Sequence, residues 1–106
     1  MIYRLMDCIE QNQKHPDTFQ IDDADALDVG HYAKLVFQEA DGKYGERMWV
    51  QVLSVTDEVY IGLLKNVPAF FPEETIKFDD VVVFNRRHVA NVLPPEPGYV
   101  RMPRHH

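Results

Sequence analysis

Apolar residues recur at Ile2, Leu5, Met6 and Ile9, the i, i+3, i+4, i+7 spacing that places them on one helical face. Asp7, Glu10 and Gln11 fall largely on the other faces. Pro16 cannot continue a helix and pushes His15 out of the helical region, so the spacing predicts about three turns ending near Gln13 or Lys14. Phe19 and Ile21 alternate with polar neighbours, which predicts a short extended segment over 17–21. Residues 22–28 can form a helical turn, with Asp22 or Asp23 as its cap and Gly30 as its end.

From Tyr32 the period changes to two. Tyr32–Gln38 reads as a first strand, and Asp41-Gly42 supplies turn chemistry in a polar loop reaching Gly45. Arg47–Val55 is a long second strand, with Met48, Val50 and Val52 on one face and Trp49, Gln51 and Leu53 on the other. Val59–Leu64 is a third, placing Val59, Ile61 and Leu63 on one side and Gly62 opposite, where a glycine signals a bend or close backbone approach. Residues 69–77 read as a covering loop with a turn at Pro72–Thr75. Val81–Phe84 is a fourth strand, apolar on both faces and so expected to be buried. His88–Leu93 adds either a fifth short strand or a helical turn. The expected fold is α+β: the N-terminal helix packed on a curved antiparallel meander of four or five strands, with an SH3-like, partly open barrel as the alternative closure. Residues 1–93 form one domain, and the proline-rich residues 94–106 are expected to be a poorly ordered tail.

The 106 residues are 45% hydrophobic and 26% charged, proportions of a globular rather than a disordered chain. A single cysteine, Cys8, allows no internal disulfide and points to the reducing cytoplasm. Asp7 and Glu10 interrupt any signal-peptide pattern, and no stretch approaches the roughly 18 apolar residues of a membrane span. The formal net charge of −6 disfavours nucleic acid and an anionic membrane as partners and suits a basic protein.

Motifs for chemistry are sparse. The acidic run of Asp22, Asp23, Asp25 and Asp28 fails the spacing of a calcium loop, because Leu27 and Lys34 fall where ligands are required. It reads instead as capping and solvation, or as a charged interaction patch. Nothing in the spacing joins Cys8 to a histidine, and no metal, phosphate-loop or nucleophile-elbow motif occurs. The expectation is therefore no enzyme, no cofactor and no metal. Glu46-Arg47-Met48-Trp49-Val50 is the most distinctive run: on a strand, Arg47 and Trp49 share a face, either as a stacked binding pair or as a core anchor with its rim. Arg86-Arg87 is too short a basic cluster for nucleic acid, and Pro94–Pro97 reads as a spacer or a polyproline-type ligand.

Several segments occur in a familiar order: His15-Pro16-Asp17-Thr18-Phe19, Leu27-Asp28-Val29-Gly30, Ala33–Phe37, Gly45-Glu46-Arg47-Met48-Trp49-Val50 and Ile61–Pro68. Across residues 14–93 this resembles the bacterial family of unknown function that includes the YegJ-like proteins, to which proposed toxin-immunity domains are related. The chain departs from the pattern at His31, after Gly30, and at Asp22, after Ile21. The resemblance implies no catalytic residues. By analogy it suggests a non-catalytic protein-binding module of the kind an immunity protein is; the acidic charge then makes Asp22, Asp23, Asp25 and Glu46 the residues expected to meet a basic toxin. The alternative is an accessory domain that binds a small ligand or peptide on its sheet near Arg47 and Trp49.

Overall fold

A computed structural model describes residues 2–22 and 26–100. The chain forms β1 (Tyr3–Leu5), α1 (Cys8–Lys14), β2 (Tyr32–Glu39), β3 (Gly45–Thr56), β4 (Val59–Leu64), β5 (Val81–Asn85), a 3-10 turn (Arg86–His88) and β6 (Val89–Leu93). All strand pairs are antiparallel, in the order β1-β2-β3-β4-β5, and β6 returns to pair with β2. One edge of β2 is thus shared, with β6 beside Tyr32–Leu35 and β1 beside Phe37–Glu39. The register shifts between Lys34 and Leu35 and between Val52 and Ser54, and such bulges bend a sheet. The result is a small α+β domain whose sheet curls into a nearly closed barrel.

The helix starts later than the apolar stripe predicts. Asp7 Oδ1 accepts the Glu10 N–H at 2.9 Å, capping the helix there, and the residues before it are a strand. Tyr3 stands opposite Glu39 and lays its ring edge-on against Phe37, while Ile2 is 73% exposed. Backbone pairing along β2 therefore overrides the helical period. The helix does not roof the main core. It packs on the 3-10 turn and β6, over a second cluster of Cys8, Phe19, Val36 and Ala90.

The main core fills the inside of the curl. Met48, Val50 and Val52 point into it as the alternation predicts, with Leu35, Phe37, Leu64 and Val82. Full burial of each such side chain stabilises by about 1.5–3 kcal/mol. The grouping on β4 holds: Val59, Ile61 and Leu63 share the outer face, and Tyr60, Gly62 and Leu64 face inward. One expectation is corrected. On β5 only Val82 and Phe84 are buried, and Val81 and Val83 are 61% and 58% exposed because no layer of the described residues covers that outer face. The 69–77 loop does cover the core, through Phe71 and Ile76, and it turns at Pro72, whose carbonyl accepts the Thr75 N–H. Of the two alternatives for His88–Leu93 the strand is found, as β6, entered from a 3-10 turn over Arg86–His88.

Candidate functional site

Period two sends Trp49 to the outer face of β3, where register sets Lys34 of β2 beside it. The Lys34 ammonium lies 4.7 Å from the centre of the indole, a cation–π contact. The backbone under Trp49 is fixed on its other side. Its N–H donates to the Asn66 side chain, and its carbonyl accepts the Lys65 N–H at 2.8 Å. Trp49 is half-buried, neither a core anchor nor a free surface ring.

Trp49 stands in a groove of about 790 Å³. Its floor is Trp49, Gln51 and Tyr32, the last two paired across β2 and β3. Lys65 and Phe78 form one side, with the Lys65 ammonium 5.2 Å from the Phe78 ring centre and 2.7 Å from Asp79 Oδ1. Leu93, which is paired with Tyr32, leads the other side, and Pro94–Pro97 continue it. The Tyr32 hydroxyl donates to Glu96 Oε1 at 2.7 Å, and that bond raises the tyrosine pKa above its ordinary value. Tyr99 N–H donates to the Glu96 carbonyl at 3.0 Å, closing a turn at Pro97-Gly98. The groove is mostly aromatic and aliphatic with a few polar groups, the usual make-up of a ligand site.

The residues singled out in the sequence separate in space. Arg47 shares the outer face with Trp49, yet its guanidinium lies over Phe19, 5.1 Å from the ring centre, and not against the indole. Both Glu46 carboxylate oxygens are engaged inside the chain, accepting the Ala69 N–H at 2.6 Å and the Phe70 N–H at 3.0 Å. Glu46 thereby clamps the loop that covers the core. The Asp22 carboxylate accepts from Val92 N–H and the Asn91 amide, and its own N–H donates to the Ala90 carbonyl. It fastens the 19–22 segment to β6. Asp23 and Asp25 lie outside the described residues, as does the middle of the predicted 22–28 turn, residues 23–25.

Other titratable groups are used structurally. Cys8 is fully buried and its Sγ donates to the His88 carbonyl at 3.3 Å; burial pushes the thiol up to about 11, so it is protonated at neutral pH. Among the described residues no cluster of histidine, cysteine or carboxylate could hold a metal, and no helix is long and apolar enough to cross a membrane.

The sequence pattern isolates Trp49 and misses its groove partners. Tyr32, Gln51 and Lys65 are unremarkable one by one, and they converge only through strand pairing. The Pro-x-x-Pro spacing of Pro94–Pro97 is the one signal that could have located the groove's second side. Comparison of the chain with protein-family models, curated proteins and solved structures gives no match, so the family resemblance rests on the quoted segments alone.

Proposed function

We propose that this chain is a non-catalytic binding domain that takes an extended, proline-containing peptide into the groove beside Trp49. The observation that carries the reading is internal. The chain's own Pro94–Pro97 segment already runs along this aromatic surface, tied to Tyr32 through Glu96. Polyproline-type segments dock in aromatic-lined grooves because their backbone is preset, so little entropy is lost on binding. Gln51 and Lys65 supply donors for a ligand's carbonyl groups. The fold reading that fits this proposal is an SH3-like barrel of β2–β6, supported by the 3-10 turn before the last strand and by the return of β6 to β2.

Recognition of a basic toxin by an acidic face has less support. Asp22 and Glu46 spend their carboxylates on bonds within the chain. Trp49 is the single tryptophan, so its fluorescence reports this groove alone. Titration with a ten-residue polyproline peptide is expected to shift the emission saturably. Trp49→Ala, followed by calorimetry, is expected to weaken binding by about tenfold or more. No binding at millimolar peptide overturns the reading if it holds both for the native chain and for the chain carrying Glu96→Ala and Tyr99→Ala together.

A further inference from the structure

Resting on the peptide-groove reading, we infer that residues 94–100 form a tethered strap that competes for the groove, so an outside peptide gains full access only when the strap lets go. The strap carries the chemistry proposed for the ligand, a Pro-x-x-Pro run. It continues directly from Leu93, itself a groove residue, so its effective concentration at the groove is on the order of millimolar.

Two contacts hold it down. The first is the Tyr32 hydroxyl bond to Glu96, at 2.7 Å. The second is Tyr99, whose ring lies so close to Gly30 that a Cβ there would come within 2.5 Å of it. Gly30 also has φ +88°, so the seat for the tyrosine ring uses a conformation that other residues rarely adopt. Beyond Leu93 the strap has no strand pairing. Its hold is a few side-chain contacts and one turn, which places it among the segments that open at low cost.

The test compares the native chain with the full chain carrying Glu96→Ala and Tyr99→Ala, each titrated calorimetrically with the ten-residue polyproline peptide. The released chain is expected to bind about tenfold more tightly, because the competing closed population is removed. Equal affinity in the two proteins overturns the strap and leaves the groove reading standing. Weaker binding by the released chain also overturns it, since the strap would then be a wall that the ligand needs. Binding by neither protein removes both readings. A thermal melt shows whether the double variant folds; if it does not, Glu96→Gln alone decides, with tighter binding supporting the strap and unchanged binding overturning it.

Discussion

Replacing Gly62 by alanine is expected to destabilise the domain by about 2 kcal/mol, a net figure from overpacking less the gain in chain stiffness. Gly62 is buried on the inner face of β4, between Val52 of β3 and Val82 of β5. A Cβ there would lie 2.5 Å from the Gln51 carbonyl oxygen and 2.6 Å from Val50 Cγ1. The first neighbour is backbone in a strand paired on both sides, and it cannot rotate away. Forcing an extra carbon into such a place costs about 1–3 kcal/mol, and a backbone clash belongs in the upper half of that range. Loss of glycine's freedom in the unfolded chain returns about 0.4–1 kcal/mol. For a domain of this size the melting temperature should fall by about 8–16 °C. Urea denaturation should show a lower midpoint with an unchanged slope. Adding Val50→Ala clears the side-chain contact and leaves the carbonyl in place, so the double variant should recover little beyond additivity. A Gly62→Ala protein as stable as the native chain would refute the close approach.

Three further outcomes follow from the same geometry. Glu46→Gln should lower stability by about 1 kcal/mol, a charge-assisted value reduced for partial exposure, and should speed hydrogen exchange at the Ala69 and Phe70 amides; unchanged exchange would remove the clamp. His88 Nδ1 accepts the Asn85 N–H at 3.1 Å, and its pKa is lowered by burial first, with Asp7 pulling it up and Arg87 pushing it down. The unfolded chain therefore binds the proton first, so this contribution is complete above about pH 6.5 and is lost as pH falls through the folded value; His88→Gln should flatten the fall of the urea midpoint below about pH 6.5. A slope that survives the substitution would count against His88. With a thiol pKa of about 11, only about a thousandth of Cys8 is thiolate at pH 8, so iodoacetamide should leave the folded chain unmodified and label it after urea unfolding. Rapid labelling of the folded protein would contradict the burial.

Alternation along the chain was sufficient to place β2, β3 and β4. Polar and apolar positions in 32–38, 47–55 and 59–64 mark β2, β3 and β4 to within a residue or two, because a half-buried sheet needs period two whatever surrounds it. The start of α1 was also written locally, in the Asp7-x-x-Glu10 cap, although the stronger apolar stripe from Ile2 to Ile9 masks it. What lay outside the sequence was which face of a strand turns inward when both are apolar. Val59–Leu64 and Val81–Phe84 are ambiguous alone, and the decision came from the Gly62 contact with β3 and from the exposure of Val81 and Val83, over which no described residues form a layer.

The groove belongs wholly to the tertiary level. Trp49 is conspicuous in the sequence, but Tyr32, Gln51, Lys65, Phe78 and Pro94–Pro97 come from five separate segments that only strand register and the return of the last strand bring together. The acidic residues show the same limit. Composition reports that Asp22 and Glu46 are charged, while only the fold assigns their oxygens to backbone N–H groups of β6 and the covering loop. Local sequence fixes periodicity because neighbouring side chains alternate by covalent geometry. Partners distant in the chain are chosen by long-range pairing, which no window of residues contains.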